Sequence, residues 1–156
     1  MASDLLRETE RAAVISLRGN APLIAIVPKL SIDPQPKTAG FDENGDVVWP
    51  FLRIDGTQAI PQGRGCNARS EVSFAVHTFA KPRHQGDPAT TPELETARDF
   101  AGRINSAVVE AMQGHAYLVA GRRYRFTVRS SRLMRDGAED SAWHGIVNVL
   151  ARAYQG

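Results

Sequence analysis

Residues 117–154 read YLVAGRRYRFTVRSSRLMRDGAEDSAWHGIVNVLARAY, and this stretch decides the fold. Between residues 122 and 130, apolar and polar side chains alternate, as expected for a strand with one buried and one exposed face. The predicted buried side carries Tyr124, Phe126 and Val128, and the other side carries Arg123, Arg125, Thr127 and Arg129. Ala120-Gly121 predicts a turn to a short apolar strand at 117–119. The pattern indicates a β-hairpin with a basic face.

The last predicted strand, Trp143 to Tyr154, has apolar residues on both of its faces. A strand of this kind lies at the centre of a sheet or has one face covered by a partner.

Two further strands are predicted upstream. The first, Trp49 to Asp55, contains Pro50, which favours the start of a strand or an edge position. The second, Arg69 to Phe79, alternates cleanly between apolar and polar residues. A glycine-containing loop joins them, so they form a long-looped hairpin.

The remaining periodic segments predict helices. Asp4 to Arg18 predicts an N-terminal helix, and a short turn at 21–27 follows it. The longest helix is predicted to begin at Thr91 as N-cap with Pro92 in its first turn, and to end at Gly114. Its apolar stripe consists of Leu94, Ala97, Ala101, Ile104, Val108 and Ala111.

Together these elements predict an α+β fold in one domain, 1–156. We expect a largely antiparallel sheet of about four to five strands, with the long helix and the N-terminal helix packed on one face. Residues 29–48 and about 80–91 lack a periodic pattern and are predicted to be irregular arms.

Composition narrows the class of protein. The 156 residues are 42% hydrophobic with a net charge of +2, which is typical of a globular domain. No apolar run is long enough for a transmembrane helix, and the first residues lack the pattern of a secretory signal, so we expect a protein made in a cytoplasm without a membrane partner. A single cysteine, Cys66, excludes an intramolecular disulfide.

Motifs for catalysis or cofactor binding are lacking in the sequence. The glycines near residues 62–67 have neither the spacing nor the lysine of a phosphate-binding loop. His77, His84, His115 and His144 are far apart in sequence and form no metal-binding pair, although distant strands could assemble a site. Cys66 lies among basic residues that could lower a thiol pKa, which leaves a thiol enzyme as a remaining alternative. We predict no catalytic residue, no metal and no cofactor.

Arginine is the unusual component. Sixteen of the 19 basic residues are arginine, and six of them lie between Arg122 and Arg135 with no acidic residue among them. One hypothesis is a nucleic-acid-binding domain that contacts phosphates through this strand. The other is a solvated sheet face or a contact with an acidic neighbouring subunit, and we favour this second hypothesis because stacking aromatics are missing from the basic side. The candidate interface residues are Arg64, Arg69, Arg122, Arg123, Arg125 and Arg129.

The order of these patterns resembles a known family. A WPFLRI segment at 49–54, an EVSFAVHTF strand at 71–79, an alanine-rich helix and the closing pair Asp136-Gly137 and WHGIV at 143–147 follow one another. This succession resembles the tail completion, or tail terminator, proteins of siphophage-like tails, prophages and gene transfer agents.

The resemblance implies a structural protein of the virion. It implies a homo-oligomeric ring, usually a hexamer, that caps the completed tail tube at its head-proximal end after assembly in the bacterial host cytoplasm. Its partners would be the tail tube protein and a head–tail connector or stopper protein. Nucleic acid would meet it only as DNA passing through the ring.

Overall fold

The computed structural model describes residues 4–34, 42–60, 69–137 and 141–155. The helices are α1 (Leu5–Arg18), α2 (Ala21–Ile24) and α3 (Ala97–Met112), with a 3-10 turn at Lys29–Ser31. The strands are β1 (Phe51–Ile60), β2 (Arg69–Ala80), β3 (Arg83–His84), β4 (Glu93–Glu95), β5 (Ala116–Val119), β6 (Arg122–Arg135) and β7 (Trp143–Gln155).

Five of the strands form one antiparallel sheet in the order β1-β2-β7-β6-β5, and β3 pairs with β4 in a separate small sheet. The long helix α3 and the N-terminal helix α1 pack on the five-stranded sheet, which confirms the predicted α+β class. β7 lies at the centre, as its two apolar faces predicted.

The β5–β6 hairpin closes at Ala120-Gly121, as predicted. Both residues have positive φ, 50° and 79°, which is the backbone of a type I′ turn. This turn has the right-handed twist of the strands that it joins, so a two-residue connection suffices. It fixes the register that pairs Val119 with Arg122.

β6 is longer than its predicted end at Ser130. A bulge between Val128 and Ser130 shifts the register with β7. An extra residue reverses the alternation, so the residues paired with the helix-facing side of β7 become Ser131 and Leu133. The apolar period therefore breaks in the sequence while the strand itself continues to Arg135.

The predicted start of the long helix is wrong. α3 begins at Ala97, and its N-cap is Thr96, whose hydroxyl accepts the N–H of Asp99 at 3.1 Å. Residues 93–95 are instead extended and pair with β3, and Leu94 is 58% exposed. The cause is tertiary, since the carboxylate of Glu95 binds Arg83 on β3 and Arg103 on α3.

Thr91, the predicted N-cap of α3, instead forms hydrogen bonds within a turn. Its hydroxyl accepts the N–H of Gly86 and donates to the carbonyl of Asp87, so it closes a turn within 83–95. This part of the second predicted irregular segment thus contains a small hairpin. In the first segment, Ile32 is fully buried and bridges Leu52, and its carbonyl accepts a hydrogen bond from Arg18.

Two polar contacts hold α1 in place. The hydroxyl of Ser16 donates to the carbonyl of Ala111 on α3 at 2.6 Å. The hydroxyl of Tyr124 on β6 donates to the carboxylate of Glu8. Burial and this hydrogen bond raise the pKa of Tyr124 above its usual value, so the phenol stays protonated. These bonds satisfy polar groups that would otherwise be costly to bury.

α3 packs directly against the backbone of Gly145 in β7. A methyl group on Gly145 would overlap the carboxamide of Asn105, which is 3% exposed. The Asn105 amide donates to the hydroxyl of Ser131 and to the carbonyl of Arg132, both at 3.2 Å. The helix is therefore hydrogen-bonded to β6 across a position where β7 has no side chain.

We expect Gly145→Ala to destabilise the fold by about 1–3 kcal/mol, because the added methyl must push Asn105 and α3 away from the sheet. The matched control is Gly137→Ala, since a methyl group there meets no atom within 4 Å. Urea unfolding monitored by circular dichroism measures both changes. Equal stability of the two variants would contradict the close packing of α3 at Gly145.

Candidate interaction surface

The sheet has one face that neither α1 nor α3 covers. We call this the open face. The side chains that the register places on it are Phe51, Arg53, Asp55 and Gln58 of β1, Glu71, Ser73, Ala75, His77 and Phe79 of β2, His144, Ile146, Asn148, Leu150, Arg152 and Tyr154 of β7, and Arg123, Arg125, Thr127, Ser130, Arg132 and Met134 of β6.

Three predicted site residues lie together on the open face. Arg123 and Arg125 are exposed and project from β6, and Arg129 lines a shallow depression with Asn148 and Leu150 of β7. We call Arg123, Arg125 and Arg129 the arginine row. Within the described ranges, no carboxylate forms an ion pair with any of the three. β6 and β7 contain no aspartate or glutamate, so the row is a strongly positive surface.

The cross-strand pairing adds to this positive charge. Arg125 is directly opposite Arg152 of β7, and like charges in that arrangement repel. Glu71 on β2 is paired with Arg152 on its other side, and its carboxylate accepts a hydrogen bond from the Arg152 Nε at 3.0 Å. One of the two facing charges is therefore compensated within the chain, and Arg125 keeps its charge exposed.

The other predicted site residues do not join the row. Arg122 has the register parity of Tyr124, so it lies on the helix-facing side, where its charge opposes the rise of the Tyr124 pKa. Arg122 was predicted to belong to the same interface as Arg123, Arg125 and Arg129. Strand alternation places it on the opposite side of the sheet from these three residues. Arg64 and Cys66 lie outside the described residues, and the side chain of Arg69 does so too.

The apolar residues of the open face are covered unevenly. Ile146 and Leu150 of β7 are 7% and 5% exposed, so the side chains around them shield the centre of this face. Leu118, which is opposite Arg123 on the edge strand β5, is 65% exposed. The surface around the row is thus basic with an exposed apolar margin.

At the other end of the open face, two histidines that are 67 residues apart in sequence form a pair. His77 Nδ1 and His144 Nε2 are 2.7 Å apart, a hydrogen-bond distance. Phe79 stacks on His144 with ring centroids 4.5 Å apart, and on Phe51 at 4.7 Å. No spacing signal in the sequence predicts this pair, because neighbouring strands bring the two side chains together.

Burial lowers the pKa of both histidines. Asp55 opposes the shift at His77, and Arg132 adds to it. At His144 the charge of His77 adds to the lowering, Asp136 opposes it, and Arg132 again adds to it. Both shifts favour the neutral imidazoles, and the ring that accepts the hydrogen bond must be neutral.

The part of the chain that the structure describes has neither a metal-binding cluster nor a membrane-spanning helix. Across residues 4–34, 42–60, 69–137 and 141–155, no three His, Cys, Asp or Glu side chains are arranged to hold a metal ion. None of the helices in these ranges has the length and apolar character needed to cross a membrane.

Comparisons with known proteins give a structural match. No protein-family model matches the chain, and no curated protein matches its sequence. Among solved structures, the fold is similar to that of a chain in the virion of a native gene transfer agent particle. The TM-score is 0.67 at 15% identity, and the match covers 97% of this chain and 99% of the other. The two chains share a fold over nearly their whole lengths.

The histidine pair makes stability depend on pH. In an unfolded chain both histidines have pKa values near 6.5, and the folded values are lower, so protonation favours unfolding. The contribution of the pair is fully present above about pH 6.5 and is lost as the pH falls below it. We expect the free energy of unfolding to drop between about pH 7.5 and about pH 5, and to drop less in His77→Gln/His144→Gln.

Urea unfolding at the two pH values measures this difference. His115→Gln is the control, since His115 is exposed and outside the pair. An identical pH dependence in the wild type and the double variant would contradict the role of the pair.

Proposed function

We propose that this chain is a tail terminator, a structural protein that caps the completed tube of a phage-like tail. The observation that carries the proposal is the full-length structural similarity to a component of a gene transfer agent virion. Its coverage of both chains is nearly complete, so the shared unit is the fold of the entire chain and not one common motif. The ordered sequence patterns from Trp49 to Ala153 support the same assignment.

In this proposal the chain works as a homo-oligomeric ring, with a hexamer expected from the resemblance. One rim binds the last ring of tail tube protein, and the other binds the head–tail connector or stopper protein. Occupying the tube end removes the surface to which further tube subunits would add. The chain would therefore act by binding alone, without catalysis or a cofactor, at the head-proximal end of the tail.

The open face supports an assembly role. It combines a positive row, an exposed leucine and a histidine–aromatic cluster on one side of a sheet whose other side is filled by helices. Surfaces with arginine, aromatic and apolar residues are typical of protein contacts. The segments around 29–48 and 80–91 would supply further contacts with neighbours in the ring.

The alternative of a nucleic-acid-binding domain is less well supported. Its contact surface was to be the strand from Arg122 to Arg135, but these two terminal arginines have the helix-facing parity. Tyr124 and Phe126, the aromatics of the strand, are fully buried. The aromatics of β6 therefore cannot stack beside its arginines, and Tyr154 of β7, opposite Arg123, is the single ring that the register of the described strands places next to the row.

Deletion of the gene in a producing strain tests the proposed function. We expect heads without attached tails and tubes of variable length, because uncapped tubes continue to grow and lack the joint to the head. Electron microscopy of lysates measures tube length and attachment. Supplying the wild-type gene in trans is the control that should restore both.

Tails of uniform length that remain joined to heads in the deletion strain would contradict the proposal. A second assay uses purified parts, in which the protein should bind at one end of isolated tubes in negative-stain images. Binding along the tube wall would also count against a terminator.

A further inference from the structure

We infer that copies of this chain join head to tail, with the arginine row of one copy bound to an acidic turn of the next. We call residues Asp42–Asp46 (DENGD) the acidic turn. The inference rests on the proposed function, since it names the contact that would close the ring. Its partner is a second copy of the same chain.

The acidic turn is a preformed and exposed anionic surface. The carboxylate of Asp42 accepts the N–H groups of Asn44 and Asp46, both at 2.9 Å, and the Asp42 N–H donates to the carbonyl of Asp46 at 2.8 Å. Gly45 has a φ of 80°, which lets the chain reverse at that point. Asp42 thus builds the turn, and the carboxylates of Glu43 and Asp46 stay exposed for a partner.

The fold keeps the acidic turn away from the Arg123 end of the row within one chain. The turn leads into Phe51, which pairs with Phe79 at one end of β2, whereas Arg123 is aligned through Tyr154 with Arg69 at the other end. Ten residues of β2 separate these levels, which is about 33 Å at about 3.3 Å per residue. The five residues from Asp46 to Phe51 span at most about 18 Å. The turn therefore cannot reach Arg123 of its own chain.

Opposite charges at opposite corners of a sheet fit a head-to-tail contact. Such an interface uses two different surfaces on each copy, and it closes into a ring when the rotation between copies permits. Arginine pairs with carboxylates through two parallel hydrogen bonds, which gives the contact a defined orientation. An acidic neighbour would also relieve the repulsion between Arg125 and Arg152, which face each other on β6 and β7.

The surroundings of the row favour protein over nucleic acid as its partner. Leu118 is exposed next to Arg123, and an apolar side chain is buried more readily against a protein than against phosphates. The aromatic rings of β6 lie on the other side from the row, and Tyr154 of β7, opposite Arg123, is a single ring beside it, whereas single-stranded nucleic acid stacks on several. The acidic turn has three carboxylates and no basic residue, so its charge matches that of the row.

Charge reversal on each surface tests the inference in the full-length protein. Arg123→Glu/Arg125→Glu reverses the row, and Glu43→Lys/Asp46→Lys reverses the turn while leaving the structural carboxylate of Asp42. We expect each double variant alone to associate about tenfold more weakly than the wild type, or worse, because attractive pairs become repulsive. Mixing the two variants in equal amounts should restore association, since each variant then meets an opposite charge on the other.

Sedimentation velocity measures the oligomers, and circular dichroism checks that each variant is folded. Arg7→Glu/Arg11→Glu is the matched control for the row variant, because it makes the same change in net charge at exposed positions of α1. It should associate like the wild type. Association of the wild type should also weaken between about 50 mM and about 500 mM NaCl.

The outcomes separate this inference from the proposed function. If the wild type forms rings and both reversed variants form them equally well, the inference is wrong and the terminator proposal stands. If the wild type never associates, even with isolated tube ends, the proposed function itself fails. If the row variant keeps its self-association but loses retention on DNA at low salt, the row is a nucleic-acid surface and the inference is overturned.

Discussion

The close approach of α3 to the centre of the sheet is the constraint on which the rest of the structure depends. Gly145 provides the space, and Asn105 fills it and binds the backbone of β6. Alternation along WHGIV then places His144 on the open face and Gly145 under the helix. A larger residue at 145 would lift α3 from β7 and loosen the contacts that hold α1 through Ser16 and Tyr124.

Because both helices pack on one side of the sheet, the other side remains available for contacts with other molecules. β7 has apolar residues on both faces, and its open-face residues Ile146 and Leu150 are nearly buried without a covering helix. The arginine row lies toward one end of this face, and the histidine pair lies at the other end with Arg53 and Arg132. A one-sided α+β layer with a patterned open face suits a subunit that must contact neighbours.

Most of the fold could be predicted from local patterns, and the exceptions have physical causes. The central strand, the turn at Ala120-Gly121 and α1 depend on signals that lie within a few residues. The start of α3 was missed because a hairpin and the ion pairs of Glu95 override the capping signals at Thr91. The extent of β6 was hidden by a bulge. The histidine pair and the side of Arg122 depend on strand register, which distant residues determine together.

We propose that this chain forms the ring between the tail tube and the head connector. The most direct measurement is a cryo-electron microscopy map of particles from a producing strain. We predict a ring of identical subunits at the head-proximal end of the tube. Each subunit should have this fold, with α3 packed over Gly145 of β7. A map in which this fold lies elsewhere in the particle, or in which no subunit of the particle has it, would contradict the account.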